Sequence, residues 1–189
     1  DNQCVSAILW DMEKFYDNID VSKLISKARE LGNPVIALGL GLLMHMSPRI
    51  LRAHEHYVMC DMPGNGIIAG CTQSTFYARL FLYMVLREHS NRPGIALRSF
   101  LDDISQRVRG DSSHEVVTKI VQQGEELAID LAGLGCKISS KTTVLGRNQA
   151  SRQAIVAGLR VRNIRVTSAK SAKDLGVGPT LGYSRCTKY

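Results

Sequence analysis

The stretch Ile95-Ala-Leu-Arg-Ser-Phe100-Leu-Asp102-Asp103-Ile-Ser-Gln-Arg-Val108 reads as two short strands, Ile95 to Leu101 and Ile104 to Val108, with two aspartates between them. That is the layout of a tight β-hairpin, since Asp tolerates the backbone angles such turns need. A second acidic cluster lies far upstream: Asp11-Met-Glu-Lys-Phe-Tyr-Asp17, entered from the apolar run Ala7-Ile-Leu-Trp10. Carboxylates at the ends of hydrophobic strands are costly to desolvate unless something positive compensates them. A pair of divalent cations does so, and two Mg²⁺ ions bridged by carboxylates are how phosphoryl-transfer enzymes stabilise attacking and leaving oxygens. Together the clusters suggest a nucleotidyl-transfer site.

Whether they can meet depends on the elements around them. Gln3 to Trp10 is short and apolar and stops at Asp11, as a buried strand would. Asp20 or Ser22 can cap a helix to about Glu30, ended by Leu31-Gly-Asn-Pro34. Pro34 suits the first turn of a second, apolar helix reaching Met46. His54 to Met62 alternates loosely, as a strand before the turn Pro63-Gly-Asn-Gly66. Phe76, Leu80, Phe81, Met84 and Val85 fall at helical spacing in a long helix from about Thr72 to His89. After the hairpin, Ser112 or Ser113 caps a helix to about Leu134. Gly135 ends it, and Lys137 to Leu145 returns as a strand. Beyond Gly146 the pattern is of short strands and turns.

This order predicts an α+β fold: a ferredoxin-like split β-α-β arrangement, its antiparallel sheet carrying helices on one face. There the strand ending at Asp11 and the hairpin can be neighbours, so that their carboxylates share one edge. Side chains alternate along a strand, which leaves one of the paired aspartates as principal ligand. Asp102 is the better choice, with Asp103 near a second metal or orienting water.

The chain of 189 residues is about one domain's worth and can bury a sizeable core. Its net charge of +7 is unevenly placed. Residues 137–189 hold eleven basic side chains against one acid, Asp174, a balance of +10 that leaves −3 for residues 1–136. The basic end suits a phosphate backbone, the alternative being an ordinary solvated face. Cys4, Cys60, Cys71, Cys136 and Cys186 are scattered without a C-x-x-C pair. Their spacing argues against a disulfide framework or zinc ribbon and for a reducing, intracellular setting. His54-x-His56-x-x-x-Cys60 places donors on one side of a strand but lacks a clear fourth ligand. No apolar run reaches membrane-spanning length, and Val35 to Met46 is more like a buried helix. The chain opens at Asp1 directly before a strand, with no signal peptide, as a fragment or excised domain would.

Taken in order, these segments resemble a known family. Asp11-Met-Glu-Lys-Phe-Tyr-Asp17-Asn-Ile-Asp20 is similar to motif A of reverse transcriptases, especially those of non-LTR retrotransposons and group II introns. Phe100-Leu-Asp102-Asp103 resembles their aromatic-x-Asp-Asp motif C. Gly66-Ile-Ile-Ala-Gly70-Cys-Thr-Gln-Ser74 is similar to motif B, whose usual form is Gly-x-x-Gln-Gly-x-x-x-Ser. Leu134-Gly-Cys-Lys137-Ile-Ser-Ser-Lys141-Thr142 resembles motif D, and Lys173-Asp-Leu-Gly176-Val more weakly resembles the Lys-x-Leu-Gly turn that follows. The motifs stand in register from about residue 5 to residue 177. One departs from the pattern: Ala69 replaces the motif B glutamine, removing an amide near the incoming nucleotide and template.

The resemblance implies the palm of an RNA-directed DNA polymerase over residues 1–146. An incomplete basic palm-to-thumb connection would follow over 147–189, with fingers and full thumb absent. Asp11, Asp102 and Asp103 would be the catalytic and metal-binding carboxylates, holding two Mg²⁺ ions, or Mn²⁺, against a primer 3′-hydroxyl and a triphosphate. Lys141 would stabilise or protonate the leaving pyrophosphate. Tyr16 would crowd the sugar 2′ position and select deoxynucleotides, its alternative being a core aromatic. Gly66 and Gly70 would let the backbone approach nucleotide or template, and Ser74 would be a contact or a helix-start residue.

The implied partners are an RNA template, a DNA primer, dNTPs and other segments of a larger polyprotein, with no membrane. The location would be nuclear for a eukaryotic retrotransposon and cytoplasmic otherwise. The isolated chain is expected to polymerise poorly. Two alternatives stand beside this reading: an RNA-dependent RNA polymerase palm, against which Tyr16 and the Lys14–Asp17 run argue, and a non-catalytic retroelement remnant that binds RNA.

Overall fold

The computed structural model describes residues 3–171. It forms two compact units. One joins the segment ending at Glu13 to that beginning at Val85; the other is Lys14–Met84. The 146/147 boundary expected from sequence falls inside the first unit. The division instead follows the long insertion between the first strand and the hairpin, which packs on itself.

The first unit carries a five-stranded sheet in the order β4-β5-β1-β6-β7, from β1 (Cys4–Trp10), β4 (Ile95–Phe100), β5 (Asp103–Gly110), β6 (Thr143–Gly146) and β7 (Thr167–Ser168). Its first four members have the ferredoxin-like order, because the hairpin and the returning strand flank β1 on opposite sides. These pairs are antiparallel, but β7 runs parallel to β6, so the sheet is mixed. Alternation selects one face. Ile8 and Trp10 of β1, Ile104 and Val108 of β5 and Val144 of β6 are all buried. Two helices cover that face: α5 (Ser113–Leu134) and α6 (Gln149–Val161). A β-carbon at Gly124 of α5 would lie 2.9 Å from Ile8 Cδ1 and 3.4 Å from both Trp10 Cζ2 and Leu159 Cδ2, so sheet and both helices meet there. Burying each such large apolar side chain contributes about 1.5–3 kcal/mol.

Local chemistry sets the helix ends. Ser112 Oγ accepts from Glu115 N–H at 3.1 Å, and the Glu115 carboxylate accepts from Asp111 N–H, one residue before the cap. Gly135, at φ 94°, ends α5 as the sequence predicts. The helix α6 is a correction, since short strands and turns were expected beyond Gly146. Asn148 caps it by accepting from Ser151 N–H at 2.7 Å, and Ile155 and Leu159 supply its buried stripe. The strand expected over Lys137 to Leu145 shrinks to β6. Ahead of it, Ser139 Oγ accepts from Lys141 N–H and Thr142 N–H returns to Ser139 C=O, closing a turn instead of extending a ladder.

The second unit contains α1 (Phe15–Asn18), α2 (Val21–Glu30), α3 (Val35–Met46), the hairpin of β2 (Ile50–Ala53) and β3 (His56–Met59), and the start of α4 (Thr72–Ser90). Asp20 caps α2, accepting from Lys23 N–H at 3.0 Å. The strand β2 was not foreseen, and its partner β3 is shorter than expected. His54, at φ 55°, sits between them instead of within a strand. Nor is α3 a buried helix. Leu38, Leu42 and His45 are buried, but Ile36, Leu40, Leu43 and Met44 are each more than 60% exposed. No helix among the described residues is long and apolar enough to cross a membrane.

Candidate active site

The β1–β5 ladder ends with Trp10 opposite Ile104. One step further, the next residues of the two strands are Asp11 and Asp103, and Asp103 also pairs with Phe100 across the hairpin. The turn itself is Leu101–Asp102. Both acidic clusters therefore converge on one end of the sheet, at neighbouring strands. Asp102 lies in the turn and not on a strand, so strand alternation does not decide between it and Asp103. The left-handed residue of the turn is Leu101, φ 58°, and not an aspartate. That conformation costs a leucine about 1–2 kcal/mol, a local strain of the kind that gathers at functional sites.

Asp11 and Asp102 are half-buried and Asp103 is exposed. The carboxylates thus stand at the end of the apolar sheet and not within it, and the desolvation penalty inferred from sequence is only partly incurred. Among the described residues no group of three or more His, Cys, Asp and Glu side chains is gathered as a metal cage. His54, His56 and Cys60 do not form one, since His54 is displaced into the hairpin turn. Asp11, Asp102 and Asp103, at the ends of neighbouring strands and the turn between, are oxygen donors of the kind Mg²⁺ takes, an ion commonly held by one or two carboxylates together with substrate phosphates.

The backbone of Asp11 is held by the turn before β6. Thr142 Oγ1 accepts from Asp11 N–H at 3.1 Å and donates to Asp11 C=O at 3.3 Å. The same carbonyl accepts from Ser139 N–H at 2.8 Å, and Glu13 N–H donates to Lys137 C=O at 2.8 Å. Lys141 is exposed in this turn. Segments that the sequence places more than a hundred residues apart are thereby joined, with the ammonium-bearing turn bonded to the main chain of Asp11.

Sequence reasoning passed over one feature. Arg107 and Arg109 alternate with the buried Ile104, Gln106 and Val108, and so share the sheet face of Asp103; Arg98 joins them opposite Ser105. Period-two alternation with arginine at every second position was the available signal. Helices cover the other face.

Tyr16, Gly66, Gly70 and Ser74 belong to the second unit. Tyr16 is half-buried, edge-on to Phe15 at 5.4 Å, and its carbonyl accepts from Ile67 N–H at 2.8 Å. Gly66 has φ +86°, and a β-carbon there would lie 2.7 Å from Asp17 O and 2.9 Å from Tyr16 O. Its missing side chain lets two backbones approach within the protein. Gly70, φ +83°, has nothing within 4 Å of such a β-carbon. Ser74 is buried and its hydroxyl donates to Ile68 C=O, tying the loop to the first turns of α4. Ala69 is exposed, while the Gln73 side chain lies beside Gly41 of α3. Opposite this loop, His45 Nδ1 accepts from Ile68 N–H at 2.9 Å. Burial, and then the charge of Arg49, push the His45 pKa below its ordinary value. The motif resembling Lys-x-Leu-Gly at Lys173–Gly176 lies outside the described residues.

No family model and no curated protein matches the chain. Among solved structures it is similar to the telomerase of Candida albicans, determined in complex with a TWJ fragment of telomeric RNA. The TM-score is 0.50 at 12% identity over 93% of this chain. The chain spans 29% of the length of that telomerase chain. At this identity the likeness is one of fold.

Proposed function

We propose that the chain is the palm of a reverse transcriptase, which transfers deoxynucleotides to a primer 3′-hydroxyl on an RNA template. The observation that carries this reading is the convergence of Asp11 with the Asp102–Asp103 turn at one end of a ferredoxin-like sheet. The fold likeness to telomerase supports it, as do the motifs in register along the chain. The telomerase structure also holds RNA, which agrees with an RNA partner here.

Asp11 and Asp102 would hold divalent metal, with Asp103 beside them. Bound there, Mg²⁺ would lower the pKa of the primer hydroxyl and offset charge on the triphosphate. Lys141 would place its ammonium where the leaving pyrophosphate gathers charge, and donate a proton to it. The motif resemblance would give Tyr16 the selection of dNTPs over rNTPs. Arg98, Arg107 and Arg109 would contact phosphates without reading sequence.

Primer extension by the full-length protein on an RNA template tests the reading, with dNTPs compared with rNTPs. Incorporation of dNTPs that is lost in Asp11→Asn supports it. Preferred incorporation of rNTPs would establish the RNA polymerase alternative. RNA binding with no Mn²⁺ binding at Asp11 and Asp102 would establish a non-catalytic remnant.

A further inference from the structure

Asp11 lies just past the regular ladder on both sides. The β1–β5 pairing stops at Trp10, and the β1–β6 pairing stops at Leu9 opposite Thr143. Hydrogen bonds from the turn between Ser139 and Thr142 take over where the sheet ends. Thr142 is completely buried, and its one hydroxyl bonds both the N–H and the C=O of Asp11, the carbonyl also accepting from Ser139 N–H. Few side chains can do this, because it needs a group that donates and accepts at a single atom. The Ser139–Thr142 turn is itself closed at 3.0 Å by Thr142 N–H on Ser139 C=O, so Thr142 cannot shift without the turn.

We propose that Thr142 is a positioning residue for the Asp11 carboxylate, holding it in register with the neighbouring aspartates and coupling it to the turn that carries Lys141. The assignment rests on the nucleotidyl-transfer reading given above. Its logic is that of partners beyond the ligands themselves. Pinning the backbone fixes where the Asp11 side chain leaves the strand and so the positions its oxygens can reach, and loss of a partner that orients a metal ligand costs roughly 10–100-fold in metal affinity. Thr142→Val keeps the shape of the side chain and removes the hydroxyl. Thr142→Ser keeps the hydroxyl and removes a methyl group.

The test is Mn²⁺ affinity of the 189-residue chain, read from the electron paramagnetic resonance of free Mn²⁺, with thermal unfolding followed in parallel. The expected result is binding that is lost in Asp11→Asn, weakened roughly 10–100-fold in Thr142→Val, and restored to near the original affinity in Thr142→Ser. Amide exchange at Asp11 should accelerate in the valine variant alone. Unchanged Mn²⁺ affinity in Thr142→Val, with binding lost in Asp11→Asn, overturns the positioning role and leaves the nucleotidyl-transfer reading standing. Equal affinity in the original chain and Asp11→Asn overturns both. If Thr142→Val does not fold, Thr142→Cys takes its place, since a thiol fills similar space but is a weak hydrogen-bonding group.

Discussion

Trp10 donates its indole N–H to the side-chain oxygen of Gln106 at 3.1 Å, inside the core and one residue before Asp11. Gln106 is fully buried, and its Nε2 has no partner among the described residues. A polar pair in a largely apolar layer makes sense as a register device. A slip of one residue would turn Gln106 to the opposite face and leave the indole unpaired. The register so fixed is the one that brings Asp103 to the step beside Asp11. Gln106→Leu removes the acceptor and strands the indole N–H, and is expected to cost about 1–3 kcal/mol. The chain has a single tryptophan, so its own fluorescence reports urea unfolding at this position.

Gly66 and Gly70 share a left-handed backbone but not an environment, and substitution separates the two. Gly66→Ala meets both the unfavourable φ and the main chain of Tyr16 and Asp17, which cannot swing aside as a side-chain tip can. A loss of about 2–4 kcal/mol is expected. Gly70→Ala meets open space and should lose only the conformational part, about 1–2 kcal/mol. Equal losses in chemical denaturation would refute the close approach at Gly66.

His45 makes the loop after Gly66 sensitive to acid. Its Nδ1 must be unprotonated to accept from Ile68 N–H. Burial and Arg49 hold its folded-state pKa below the ordinary 6.5. As the pH falls, the unfolded chain therefore takes up the proton first. Stability from this group is complete above 6.5 and is lost as the pH drops from 6.5 through the lowered folded-state value. Asparagine at this position keeps an acceptor and does not titrate. His45→Asn should show a smaller fall in unfolding temperature between neutral and mildly acidic buffer than the original chain. An identical fall in both would remove His45 as the cause.

The sequence was most legible where chemistry is local. Asp20, Ser112 and Gly135 mark helix ends by single hydrogen bonds or a single φ, and all three act as their residue types suggest. The order of β1, β4, β5 and β6 followed from apolar runs and turn residues. Two features were hidden for different reasons. The helix α6 buries only Ile155 and Leu159 as large apolar residues, and its β-branched Val156 and Val161 and its Gly158 weaken the helical signal, so that the segment reads as short strands and turns. The hold of Thr142 on Asp11 joins residues far apart in sequence, and no local pattern predicts such a pair. Convergence of the acidic clusters was readable only once the topology was granted. That Asp102 sits in the turn and Asp103 on the strand required the register.

The three carboxylates should not be equivalent. Asp11 and Asp102 are half-buried at the sheet end, while Asp103 is exposed. A ligand held partly out of water is oriented by its surroundings and shares a site with fewer competing waters. An exposed one contributes charge more than geometry. On the polymerase reading proposed above, Asp11→Asn and Asp102→Asn in the full-length protein are each expected to lower primer extension by at least about a hundredfold, the rate equivalent of a few kcal/mol of lost charge stabilisation. Asp103→Asn should cost less and be partly restored by Mn²⁺ in place of Mg²⁺, since Mn²⁺ binds a given donor set more tightly than the harder Mg²⁺ where geometry is imperfect. Steady-state rates for the three variants in each metal decide the order. If Asp103→Asn proves as severe as Asp11→Asn in both metals while Asp102→Asn is milder, the strand partner of Asp11 is the principal ligand and the turn residue Asp102 is secondary.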